Sequence, residues 1–249
     1  TGTRTVQETI ESALATMHGH PVAIVGAGRT DSGVHAVGQV AHFVTDIASI
    51  PADRFEPALN RLMPRDVRIT RAEDAPPDFH ARFGARSRRY KYYIRVGPIQ
   101  MPNLDRYAWR LFRRPDIGRL NRLAACLRGE LDCSTFASAQ DPSLSHFRYL
   151  YHAAFHAEGD GLVFDIAANA FLWRMVRSIV GTLVGLDAQG AADTAMQALL
   201  EARDRSKAGV TAPAHGLFLW NVDYYDPPTR AGRIAQQEFV THGAADADA

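Results

Sequence analysis

The stretch from Asn169 to Gly181, Asn-Ala-Phe-Leu-Trp-Arg-Met-Val-Arg-Ser-Ile-Val-Gly, opens a segment that reads as a helix running to about Leu186 and is apolar almost all round. A helix without a polar face has to be enclosed by other layers, so this segment predicts a buried helix. At about 100° per residue, Arg174, Arg177, Ser178, Gly181 and Gly185 fall on one side. That narrow stripe of polar and small residues would admit a close backbone approach. A cation on a largely buried helix needs a partner. Either Asp31 meets Arg177 and is kept ionised by it, or both arginines reach along their stems to solvent.

The layers around such a helix can be read along the chain. Thr5-Val6-Gln7-Glu8 is a capping box, and Val6, Ile10, Ala13, Leu14 and Met17 recur at helical spacing, which predicts a helix over about 6–18. Further helices are expected near 55–63, 117–127 and 192–202. Strands are expected at 22–25, 39–44, 67–72, 87–96, 147–157, 162–167 and 216–222, with Glu158-Gly159-Asp160-Gly161 as a hairpin turn between two of them. Alternation in Tyr90-Lys91-Tyr92-Tyr93 puts Tyr90 and Tyr92 on one face of their strand. Apolar periodicity ends after Asp226. The expected division is 1–85, 86–230 and a flexible tail over 231–249.

The most chemically suggestive loop is Gly26-Ala27-Gly28-Arg29-Thr30-Asp31-Ser32-Gly33-Val34-His35, directly after the apolar run Val22–Val25. Its glycines permit left-handed backbone, which would let the loop present a side chain at a strand end. A dinucleotide fingerprint is a poor match, because Asp31 stands where a third glycine is needed and would repel a pyrophosphate. No Gly-Lys-Ser/Thr follows, so a Walker loop is excluded. An ordinary turn rich in Asp, Ser and Gly is as good a reading of the spacing alone as a catalytic loop. His35 and His42 have no ligand set around them, which favours structural or substrate-edge roles over metal binding.

Charge adds a second clue. The net charge is only +1, yet residues 82–122 hold twelve basic residues against two acids, Asp105 and Asp116. The run is mostly arginine, suited to bidentate phosphate contacts, and it is interleaved with tyrosines suited to stacking on unpaired bases. A solvated basic face is the plainer alternative. Tyr90 by itself reads more readily as a core residue than as a stacking one. Cys126 and Cys133 form no metal-ligand or secreted-disulfide pattern, which fits a reducing compartment. No run is long enough to span a membrane.

Gly28 to Ala36, Gly-Arg-Thr-Asp-Ser-Gly-Val-His-Ala, resembles the signature of the TruA-type tRNA pseudouridine synthases. Phe79-His80-Ala81-Arg82-Phe83, the Arg-x-Tyr-Lys-Tyr of residues 88–92 and the Met-Val-Arg of residues 175–177 follow in the order expected of that family. The resemblance implies an α+β fold of two similar halves, each a mixed or antiparallel sheet backed by helices, forming a central sheet with a basic cleft. It implies isomerisation of uridine to pseudouridine at positions 38–40 of the tRNA anticodon stem-loop. Asp31 would be the nucleophile, Arg29 would stabilise a flipped-out nucleotide, Tyr90 would stack on the base and assist proton removal, and Arg177 would orient Asp31. Leu219, in a Gly-Leu-x-Leu strand, would supply an apolar wall. No metal or cofactor is implied; a homodimer in the cytoplasm is. Trp173 and Arg174 stand at variable positions of the family, and the resemblance assigns them nothing. Family members open with a strand and a Tyr-Asp-Gly…Gly-Trp-Gln segment ahead of the first helix, so the first strand is expected to be missing from this sequence. Two other classes remain: an RNA-binding protein without catalysis, and a phosphate-ester enzyme using Asp31 with a metal.

Overall fold

The computed structural model describes residues 4–225. The tail expected over 231–249 lies outside the described residues. Along the chain the elements are α1 (Val6–His18), β1 (Val25–Gly26), β2 (His35–Ala36), β3 (Ala41–His42), α2 (Phe55–Leu62), β4 (Ser87–Val96) and β5 (Trp109–Leu111). They continue with α3 (Ile117–Ala124), β6 (Gly129–Asp132), β7 (Phe147–Glu158), β8 (Gly161–Ala168), α4 (Met175–Gln189), α5 (Ala195–Ala202) and β9 (Leu217–Asp223). They fall into two compact units. One comprises the described residues up to 30 together with 38–85; the other comprises 31–37 together with the described residues from 86 onward. The seven residues that carry Asp31 therefore pack with the second unit, although the chain on either side of them belongs to the first.

In the first unit, α1 starts where its capping box dictates: the Thr5 side chain accepts from the Glu8 amide and the Glu8 carboxylate accepts from the Thr5 amide. Its buried face, Ala13 and Leu14, joins Val22, Ile24, Phe55, Leu59, Met63 and Val67 in one apolar cluster. β1 and β3 pair antiparallel, Val25 opposite His42. The strand expected over 67–72 does not form. The Asn60 side chain instead donates to the Ile69 carbonyl at 2.8 Å and accepts from the Ile69 amide at 2.9 Å, so an amide side chain takes the place of a neighbouring strand.

The second unit is built on a mixed sheet in the order β2-β9-β4-β8-β7-β6, with β5 added alongside β4. β2 runs parallel to β9, whereas β9, β4, β8, β7 and β6 pair antiparallel in turn. Tyr90, Tyr92 and Ile94 of β4 point inward, as their alternation predicts. The expected hairpin forms between β7 and β8, with Glu158 opposite Gly161. Burial of α4 is nearly complete from Met175 to Val184. It starts at Met175 rather than near Asn169, because Arg174 adopts a left-handed conformation, φ 62°, that a continuing helix cannot contain.

Gly181 explains how α4 fits so tightly. A Cβ there would lie 1.8 Å from the Val210 carbonyl oxygen and 3.0 Å from the Ala212 nitrogen. The close backbone approach expected of the small-residue stripe thus occurs at Gly181. It does not extend to Gly185, where an added Cβ meets nothing within 4 Å.

Candidate active site

Three elements of the second unit converge on Asp31. The first is the turn that carries it. The Val34 amide donates to the Asp31 carbonyl at 3.0 Å, and Gly33 holds φ +83°, a conformation that side-chain-bearing residues resist. This turn leads directly into β2, where Ala36 lies opposite Leu219 and the Val37 amide donates to the Leu219 carbonyl at 2.9 Å. Asp31 is thereby tethered to the edge of the large sheet.

The second element is α4. Arg177 Nη1 donates to Asp31 Oδ2 at 2.6 Å, and Arg177 Nε donates to the Ala212 carbonyl at 2.8 Å. The Ala212 amide in turn donates to the Arg177 carbonyl at 3.0 Å. The guanidinium is anchored at one end by backbone, and its Nη1 reaches the carboxylate. Both side chains of the pair are largely shielded, 15% exposed for Arg177 and 16% for Asp31. Removing one partner from such a pair leaves the other charge poorly solvated.

The third element is the entry to α4, where Trp173 Nε1 donates to the other oxygen, Asp31 Oδ1, at 2.6 Å. Each carboxylate oxygen of Asp31 thus has its own donor. Sequence reasoning passed over Trp173. The signal available in the sequence was its position four residues before Arg177, but only the left-handed turn at Arg174 brings both donors to one carboxylate.

Tyr90 lies on β4 between β8 and β9, opposite Ile166 on one side and Leu219 on the other. The β4–β9 ladder slips by one residue at Arg89/Tyr90, so Trp220 is the extra residue of a bulge. A bulge re-aims the neighbouring side chains, and bulges concentrate beside active sites. The Tyr90 ring meets Phe171 edge-to-face at 5.1 Å. Burial pushes its phenol up to about 12; the Arg88 charge opposes this shift and the Asp31 charge adds to it. At neutral pH the phenol keeps its proton. Leu219 is fully buried beside it. Asp31, Arg177, Tyr90 and Leu219 therefore all belong to the second unit. Arg29 is exposed and belongs to the first. His35 stacks on Phe218 at 4.6 Å.

The basic run is less free in space than it is in sequence. Arg89 meets Asp165, Arg95 and Arg110 meet Asp105, Arg119 meets Asp187, and Arg122 meets Asp193. Three of those acids lie far downstream, where a local charge count does not reach. Arg106 and Arg113 are exposed. Among the described residues, no three His, Cys, Asp or Glu side chains are grouped so as to hold a metal ion.

The family model described as tRNA pseudouridine synthase matches residues 1–84 and 123–225. The matched stretches contain Arg29, Asp31, Arg177 and Leu219, whereas Tyr90 falls between them. The tRNA pseudouridine synthase A of Treponema denticola is 50% identical over 221 residues, covering 89% of this chain and 82% of that protein. That of Treponema pallidum is 45% identical over 204 residues, covering 82% and 73%. The Bacillus subtilis protein of the same name is 40% identical over 227 residues, covering 90% and 91%.

Proposed function

The chain belongs to the tRNA pseudouridine synthase family, and from that premise we propose that it isomerises uridine to pseudouridine at positions 38–40 of the tRNA anticodon stem-loop, with Asp31 as the nucleophile. The observation that carries this reading is the Asp31 carboxylate itself, shielded from bulk water and held by Arg177 on one oxygen and Trp173 on the other.

The chemistry asks for little else. The N1–C1′ bond of the target uridine breaks, the uracil turns, and a C5–C1′ bond forms. The C5 proton is lost and N1 gains one, so nothing is oxidised. A base stacked in a helix cannot turn in this way, and the nucleotide has to leave the stack first. Arg29, exposed in its loop, would stabilise the flipped state. Asp31 holds the base or the sugar covalently while the glycosidic bond is open. Tyr90 offers a neutral ring against the uracil, with Leu219 as the apolar wall beside it. Because its phenol remains protonated at neutral pH, any proton that Tyr90 takes from C5 must be matched by one it gives away. Arg177 orients Asp31.

Exposed arginines of the 82–122 run, Arg106 and Arg113 among them, would meet tRNA phosphates. The reading includes a homodimer in the cytoplasm. Exposed apolar surface at Ile99, Leu104, Tyr107 and Phe112 supports association with a second copy. Among the described residues no helix is long and apolar enough to cross a membrane.

The test is tritium release from tRNA labelled at uracil C5, comparing the parent with Asp31→Ala, alongside tRNA binding. Release by the parent alone, with binding by both, is the expected result. Release that survives the substitution would remove Asp31 from the mechanism. Binding by both with release by neither would favour a non-catalytic RNA-binding protein.

A further inference from the structure

We propose that Trp173 is a positioning residue for this reaction: its indole N–H fixes Asp31 Oδ1, so that the carboxylate keeps one orientation while the uracil leaves and returns. The proposal rests on the reading that Asp31 carries the chemistry.

Rotation about the terminal bond of an aspartate side chain is soft. Arg177 alone pins one oxygen at 2.6 Å and leaves the other free to swing about it. A second donor on the second oxygen, also at 2.6 Å, fixes the plane of the carboxylate. Hydrogen bonds to a charged group are about twice as strong as neutral ones, so this restraint is worth more than an ordinary indole contact.

Trp173 is itself held. Its amide donates to Asp141 Oδ2, and its carbonyl accepts from the Ser138 amide at 3.1 Å. Asp141 also accepts from the Ser143 amide at 2.8 Å. The loop over residues 137–145 thus clasps the tryptophan backbone from both sides. On its other side, Arg174 sits at φ 62°, a strained conformation for a residue with a side chain. That turn keeps Trp173 outside α4 and directed at Asp31. Backbone strain of this kind persists where the surroundings over-determine it, and it concentrates at functional sites. The tryptophan remains 41% exposed, so core packing accounts for only part of its placement.

A residue acting through Asp31 should change the rate of the chemical step and leave tRNA affinity alone. Trp173→Phe keeps an aromatic ring and removes the donor. Under single-turnover conditions with saturating tRNA, its tritium release should be roughly tenfold to a hundredfold slower, the range for a lost hydrogen bond to a charged group. Its tRNA dissociation constant should stay within about twofold of the parent's, as for a contact made to the enzyme and not to the RNA.

The contact itself has a spectroscopic signature. The chain has three tryptophans, Trp109, Trp173 and Trp220, hence three indole N–H signals in a ¹⁵N–¹H spectrum. The signal missing from Trp173→Phe identifies Trp173, and unchanged positions for the other two show that the variant is folded. In Asp31→Asn the Trp173 signal should move upfield as its acceptor loses charge. A Trp173 signal indifferent to Asp31→Asn, or parent-rate release by Trp173→Phe, overturns the proposal. If Asp31→Asn is inactive while Trp173→Phe keeps the parent rate, only the positioning role fails. If Asp31→Asn releases tritium at the parent rate, the underlying reading fails with it.

Discussion

Gly181→Ala should destabilise the protein and slow it at once, whereas Gly185→Ala, one turn further along the same helix, should do neither. The added methyl at 181 would lie 1.8 Å from the Val210 carbonyl oxygen, far inside the 3.0 Å that real Cβ atoms respect. The atom in the way is backbone and has no rotamer to change. Relief requires α4 and the segment over residues 209–212 to part. That movement breaks the Ala212 amide bond to the Arg177 carbonyl, the Arg177 Nε bond to the Ala212 carbonyl and the Gly209 amide bond to Thr182 Oγ1. At about 1 kcal/mol net each, the loss is about 3 kcal/mol. Alanine returns about 1 kcal/mol of helix propensity, leaving Gly181→Ala less stable by about 2 kcal/mol. Gly185→Ala gains propensity with no clash and should be more stable by up to about 1 kcal/mol. Urea unfolding followed by tryptophan fluorescence reads both, with the midpoints moving in opposite directions. Because two of the three bonds anchor Arg177, single-turnover tritium release should fall in Gly181→Ala and hold in Gly185→Ala. A Gly181→Ala protein as stable as Gly185→Ala would refute the claim that the close approach positions Arg177.

Arg177→Lys keeps the charge but cannot bond both the Ala212 carbonyl and Asp31 from one planar group; tritium release should fall at least about tenfold with tRNA binding retained, and an unchanged rate would count against an orienting role. Burial raises the Tyr90 phenol to about 12 and raises Tyr92 as well, whereas unfolded tyrosine titrates near 10. The stability tied to these neutral phenols should be intact below about pH 10 and lost as pH rises towards 12, and Tyr90→Phe should make that loss shallower in urea titrations across the interval. Arg174→Gly relieves the left-handed backbone at φ 62° and should stabilise the protein by up to about 1 kcal/mol, read as a higher urea midpoint; a lowered midpoint would mean that the Arg174 side chain contributes more than its strain costs.

What the sequence discloses, and what it hides, follows from the range of the interactions involved. The capping box of α1 and the β7–β8 hairpin are legible because their determinants lie within a few residues of one another. The inward face of Tyr90 and Tyr92 is legible from alternation. β2 and β5 escape notice because they are two and three residues long and exist only through parallel partners, which for β2 means β9 at the far end of the chain. The charge run over 82–122 misleads in the opposite direction, because Asp165, Asp187 and Asp193 return from downstream to meet Arg89, Arg119 and Arg122.

The same distinction separates the two donors at Asp31. A guanidinium on an otherwise apolar helix cannot be buried alone, so the sequence itself narrows Arg177 to two options, a carboxylate partner or a stem that reaches solvent. Asp31 is the partner that the sequence offers it, and the two meet at 2.6 Å. An indole carries no such obligation. Its single N–H can face water while the ring packs, so nothing in the residues around Trp173 announces a partner. Its bond to Asp31 depends on a backbone reversal at Arg174 that arginine disfavours and that no local propensity predicts. Orientation of the Asp31 carboxylate therefore rests on one contact to a largely buried cation and another that only the folded chain reveals. The second is the one that substitution at 173 can remove without stranding a charge, which makes it the cleaner probe of how far orientation alone governs the rate.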